Sequence, residues 1–211
     1  MGLREYGNID RLLRLAVFLL MPLVASFPAY ADPRAEVFVS DNIQKGLTIL
    51  NDPQLSPTQR SAQFEELLLK ITDMKRVALF TLGQYRQTAS QADQDAFATA
   101  FQDYSIAVYR SYLGRYAGQT LKVTGSTQHS PDDYIVATRM IDPNDHSGRQ
   151  PLEVDFRVRT DTGRPEVTDL EIAGIWLALE ERDQFSAFLA QHHGDVADLT
   201  GHLHDVANSY R

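Results

Sequence analysis

The sequence predicts an α+β domain, and three observations carry that reading. Apolar residues recur at helical spacing from Pro33 to Tyr116, the period changes to alternation between Leu121 and Ile172, and helical spacing returns near the C-terminus. Turn-forming segments connect the alternating runs, so the strands read as an antiparallel or mixed sheet of about four strands. One face of that sheet is apolar and needs several helices to cover it. The chain has 211 residues, and neither an internal repeat nor a low-complexity linker divides it, so one domain with a substantial core is expected.

Residues 1–31 stand apart from that domain. Arg4, Arg11 and Arg14 precede an apolar run from Leu15 to Ala25, and Ala29-Tyr30-Ala31 stands before Asp32. A basic segment, a short apolar segment and a small-x-small triplet form the pattern of a secretory signal peptide cut after Ala31. The run is short of the roughly 20 residues a bilayer needs, and Pro22 interrupts it, which disfavours a membrane anchor. Removing residues 1–31 takes away three basic and two acidic side chains and leaves 17 basic against 26 acidic, a net charge of −9. That balance argues against a nucleic-acid partner and against adsorption to anionic membrane, which both favour clustered Lys and Arg. The chain has no cysteine, hence no disulfide framework and no thiol nucleophile. The expected product is a soluble exported domain over residues 32–211.

Within that domain Val37, Ile43, Leu47 and Leu50 make a modest helical stripe that ends at Asn51-Asp52-Pro53. Ser56, Pro57 and Gln59 supply an N-cap, a proline at the first helical position and a capping-box partner for a second helix, on which Phe64, Leu67, Leu68 and Ile71 repeat. Asp73 caps a third, with Met74, Val77, Leu79 and Phe80, stopping near Gly83. Ser90 to Asp93 opens the longest helix, through to about Tyr116. One of its faces carries Phe97, Phe101, Tyr104, Val108 and Tyr112, and the neighbouring stripe adds Tyr109, Leu113 and Tyr116. Such a load reads first as core, but buried phenols need polar partners, which suits the rim of a cavity.

The strands follow at Leu121 to Thr124, at Tyr134 to Ile141 and at Leu152 to Val158, where Leu152, Val154, Phe156 and Val158 alternate with charged residues. Glu153, Asp155, Arg157 and Arg159 on the other face read as charge pairing on a wet surface. The last strand, Val167 to Ile172, reaches Gly174 and the sole tryptophan, Trp176, and a helix with Phe185, Phe188 and Leu189 is expected from Asp183. A final amphipathic helix runs from Asp195 to Tyr210 after Gly194. From periodicity alone it stays open whether sheet and helices touch or enclose space.

The search for chemistry stops early. No Gly-x-Ser-x-Gly elbow, His-Glu-x-x-His, P-loop or Gly-x-Gly-x-x-Gly is present. His202 and His204 point to different helix faces, and His192-His193 stands at a helix end, so neither a metal nor a cofactor site is expected. Asp169 and Glu171 read as a solvated face. These features fit a binding protein better than an enzyme.

Several motifs, in order, carry a resemblance. They are the helix with Phe97, Phe101, Tyr104, Tyr109, Leu113 and Tyr116 followed by Gly118-Gln119-Thr120, then Ile141-Asp142-Pro143-Asn144, Asp155-Phe156-Arg157, and Asp169 to Gly174 leading to Arg182-Asp183-Gln184-Phe185. In these the chain resembles the MlaC family, also known as the toluene-tolerance or auxiliary-transport family of periplasmic phospholipid carriers. The resemblance implies an apolar cavity between the sheet and helix layers that holds phospholipid acyl chains. It also implies two partners: an outer-membrane lipoprotein complex and an inner-membrane ABC transporter with its substrate-capturing subunit. A related branch is associated with hopanoids, which makes a hopanoid or other polycyclic lipid the alternative cargo.

The expected wall residues are Val77, Phe80, Phe97, Phe101, Tyr104 and Val108 from helices, and Val136, Val154, Phe156, Leu170, Ile172, Ile175 and Trp176 from the sheet and the bend after it. Gly174-Ile175-Trp176 departs from the family's usual Gly-Val-Ser and is the expected lip of the cavity. Arg164-Pro165-Glu166 departs too, at the start of the last strand. Two other classes compete. One is a small NTF2-like hydrolase or isomerase with Asp169 or Tyr104 as acid/base, and the other is an adaptor with a filled core.

Overall fold

The computed structural model describes residues 32–113 and 116–210. The expected signal peptide lies outside the described residues. Among these residues the fold is α+β, with six α-helices and one open five-stranded sheet.

Helix α1 (Pro33–Asn51) starts at Asp32, whose carboxylate accepts from the Arg34 amide at 2.8 Å. Helix α2 (Pro57–Ile71) has the predicted capping box: the Gln59 amide donates to Ser56 Oγ at 3.3 Å and the Ser56 amide to Gln59 Oε1 at 2.9 Å. Gly46 of α1 is buried, and a Cβ there would stand 3.3 Å from the Phe64 ring, so glycine lets α2 pack close against α1. Helix α3 (Met74–Thr81) is capped by Asp73 and passes through a 3₁₀ turn (Gly83–Gln87) to the long helix α4 (Gln91–Leu113).

The sheet is a meander in the order β1 (Thr120–Ser130), β2 (Asp133–Ile141), β3 (Val154–Arg159), β4 (Glu166–Ile172), β5 (Ile175–Trp176), every neighbour antiparallel. Strand β1 extends beyond the expected Leu121 to Thr124. Its second half, Gly125 to Ser130, is polar because it lies on an edge with its last four residues exposed, so no apolar alternation marks it. Strand β5 was not expected. Ile172 pairs with Ile175, and Ala173 and Gly174 between them have φ of 52° and 85°, the left-handed pair of a two-residue hairpin. Helix α5 (Leu177–Gln191) follows at once, six residues earlier than the predicted Asp183, and α6 (Val196–Ser209) closes the fold.

Two separate cores result. In the helical core Phe97 and Phe101 of α4 each meet the Phe185 ring of α5 edge-on, at 6.0 and 6.3 Å, among Ala78, Leu82, Leu189, Leu199 and Leu203. In the other, Ala35 and Val39 of α1 lie on Tyr134, Val136 and Val158 of the sheet. An ion network joins the sheet to α3: the Arg157 guanidinium grips buried Asp133, Arg159 bridges Asp133 and Asp161, and Arg76 makes two 2.9 Å hydrogen bonds to Asp161. The guanidinium of Arg76, and then that of Arg159, holds the Asp161 carboxyl well below the usual carboxylate range. The outward sheet face is thus drier than expected, since Asp133 is 1% exposed.

Candidate functional site

Between the two cores lies a cavity of about 500 Å³. Helix α1 contributes Phe38, Val39, Asn42, Ile43, Gly46, Leu47 and Leu50, and α2 contributes Phe64, Leu67, Leu68 and Ile71. The end of α4 adds Tyr109, Tyr112 and Leu113, with Tyr116 and Gln119 beyond it, and the sheet supplies Thr120, Leu121, Met140, Phe156 and Val167. Among the described residues no side chain in this lining carries a formal charge. Helix α2 has no buried residue although its apolar stripe is regular, because the stripe faces the cavity instead of a packed neighbour.

The lining meets solvent at Tyr112, which is 61% exposed. Polar side chains tie this end together. Asn51 at the end of α1 and the Tyr116 hydroxyl hydrogen-bond each other, at 3.0 and 3.2 Å for the two amide atoms. Gln119 donates to Asp142 Oδ2 at 3.1 Å, and Asn144 donates to the Ala117 carbonyl at 3.1 Å. Two motifs far apart in sequence, Gly118-Gln119-Thr120 and Ile141-Asp142-Pro143-Asn144, therefore meet beside the cavity.

Of the expected wall residues, Phe156 lines the cavity. The structure places the others elsewhere. Phe97 and Phe101 are packed in the helical core, and Val77 and Tyr104 pack against it. Val108 is half-buried outside the lining. Phe80 is 40% exposed in a surface groove, with the Arg182 guanidinium 5.3 Å from its ring centre. Val136 is fully buried under α1, and Val154 is buried beside Thr138, whose hydroxyl donates to its carbonyl. Leu170 and Ile172 pair with Phe156 and Val154 across β3 and β4, but are half-buried outside the lining. Ile175 and Trp176 form the short β5 strand, Ile175 being 54% exposed, so the Gly174 bend is a hairpin and not the cavity's lip.

The residues weighed for acid/base work have other partners. The Tyr104 hydroxyl donates to Glu181 Oε1 at 2.7 Å, and burial followed by that bond pushes its pKa far up. Burial also raises the Glu181 carboxyl, whose Oε2 is buried without a partner among the described residues. Helix α5 has no side-chain cap of its own, and Asp169 Oδ1, from β4, accepts from the Ala178 amide at 2.8 Å and the Leu170 amide at 2.8 Å. Asp169 is thus a cap supplied from a neighbouring strand, and neither it nor Tyr104 lines the cavity. Asp169→Ala is expected to lower stability by about 1–2 kcal/mol in urea denaturation, with Asp169→Asn retaining most of it because the amide oxygen still accepts. Among the described residues no cluster of three or more His, Cys, Asp or Glu side chains could hold a metal.

An open antiparallel sheet and a helical layer that part to leave an apolar cavity define an α+β protein built around a pocket. The chain belongs to the MlaC family, whose model, described as MlaC protein, matches residues 40–205. Its fold is similar to that of a phospholipid-binding protein from Ralstonia solanacearum solved in complex with a phospholipid. The TM-score is 0.71 at 22% identity, over 83% of this chain and 98% of that one.

Proposed function

We propose that the protein is a soluble periplasmic carrier that shelters phospholipid acyl chains in this cavity. The observation that carries the reading is a lining without a formal charge among the described residues, around about 500 Å³, within the roughly 300–1,000 Å³ of small-molecule pockets. Each methylene moved out of water into such a site gains about 0.8 kcal/mol, so on the order of ten of them gain about 8 kcal/mol without any charged clamp. The phospholipid in the Ralstonia solanacearum relative supports the same cargo class.

The exported state follows from the signal-like residues 1–31, cut after Ala31. In this reading the carrier exchanges lipid with an inner-membrane ABC transporter through its substrate-capturing subunit, and with an outer-membrane lipoprotein complex. It performs no reaction on the lipid. Native mass spectrometry of the mature protein purified from its exporting host is expected to show a bound diacyl phospholipid of unaltered mass. A bound hopanoid would reassign the cargo to the polycyclic alternative. A protein that stays lipid-free after incubation with phospholipid vesicles would sink the carrier reading.

A further inference from the structure

Tyr109 differs from the other tyrosines around the cavity. Tyr116 bonds to Asn51, whereas the Tyr109 hydroxyl makes no hydrogen bond among the described residues. The side chain is half-buried, and it lines the cavity. Burial, and then the nearby carboxylates of Asp169 and Glu181, push the phenol up to about 12, so it stays protonated at any physiological pH. It is an accessible hydrogen-bond donor on a mostly apolar wall, open to an acceptor that enters the cavity.

Its height in the cavity is informative. Tyr109 lies three residues before Tyr112 on α4, so it stands about one helical turn, ~5 Å, further along the axis from the point where the lining meets solvent. A phospholipid with its head group at that opening has its first buried polar atoms, the ester carbonyls, at such a depth. They accept hydrogen bonds and donate none. We infer that the Tyr109 hydroxyl donates a hydrogen bond to an oxygen acceptor of the bound lipid, in a diacyl phospholipid the carbonyl of an acyl ester. Tyr109 is then a specificity-determining residue that sets the depth of the lipid and reads its linkage. This inference rests on the reading of the cavity as an acyl-chain site.

Tyr109→Phe removes one oxygen that hydrogen-bonds to no described residue and leaves the apolar wall in place. The test compares the delipidated wild type and this variant with two probes, an ester-linked phosphatidylglycerol and its ether-linked counterpart of equal chain length. The wild type is expected to bind the ester lipid roughly five-fold more tightly, the worth of one neutral hydrogen bond, and the variant to bind both as the wild type binds the ether. A second pair, a polycyclic alcohol and its deoxygenated parent, separates the two sources of the acceptor. A preference in that pair alone, erased in the variant, assigns the oxygen to a polycyclic cargo. Equal binding of both members of both pairs by the wild type, or a preference that survives in Tyr109→Phe, overturns the inference while leaving the carrier reading intact. Binding of none of the probes overturns both.

Discussion

Phe156→Asp is expected to reduce the lipid recovered with the purified protein by roughly tenfold or more. Phe156 is on the central strand, opposite Val136 of β2 and Leu170 of β4, and it reaches both the cavity and the core under α1. A carboxylate there finds no cation among the described residues of the lining. It must stay charged and unpaired or take up a proton, and either way it presents a polar group where an acyl chain would lie. The cost of several kcal/mol exceeds the ~1.4 kcal/mol that a tenfold loss represents. Leu47→Asp, on the α1 part of the same lining, is expected to act alike and guards against a folding defect peculiar to Phe156. Ile172→Asp, on the same sheet but outside the lining, is expected to keep its lipid. Wild-type lipid content in folded Phe156→Asp and Leu47→Asp proteins, judged by circular dichroism, would remove the cavity as the cargo site.

The contrast between Phe156 and Ile172 shows where sequence reasoning reached and where it stopped. Caps and periods were legible because they are local: Ser56, Asp73 and Asp195 sit where helices begin, and the alternation from Val154 to Val158 marks β3. The β5 hairpin was missed because Ala173 is not a residue that ordinarily takes a positive φ, so Gly174 alone read as a bend. The polar half of β1 was missed because it buries too little to impose a pattern.

The cavity wall was harder for a different reason. Periodicity shows that a helix has an apolar face without saying what the face meets. On α4 the stripe of Phe97 and Phe101 meets Phe185 of α5, and the adjacent stripe of Tyr109, Leu113 and, past the helix, Tyr116 meets the space. The stripes of α1 and α2 were visible too, and they supply half of the lining while reading as an ordinary cover. One signal was available: Gly46 in mid-helix, facing Phe64, marks a close approach of α1 and α2 that a helical propensity argument would not tolerate without a packing reason.

The ion network tests how the sheet is held to α3. Asp133 and Arg159 are register partners across β2 and β3, and Arg157 lies two residues along the same strand, so both guanidinium groups reach one carboxylate. Arg157 Nε lies 3.0 Å from Asp133 Oδ1 and Nη2 lies 2.7 Å from Oδ2, with Arg159 Nη1 3.5 Å from Oδ2. Removing one partner of a buried pair leaves the other uncompensated, a loss of about 3–5 kcal/mol. Here the arginine side chains are 35% and 25% exposed and can turn partly to water, which places Asp133→Ala near the lower figure, about 3 kcal/mol in urea denaturation. A double-mutant cycle with Arg157→Ala is expected to show strong coupling, since the second substitution removes the closer of the two stranded guanidinium groups. A loss within the ~1 kcal/mol of an exposed pair would mean that Asp133 is hydrated in solution and that packing of α3 on β4, not this charge network, holds the two together.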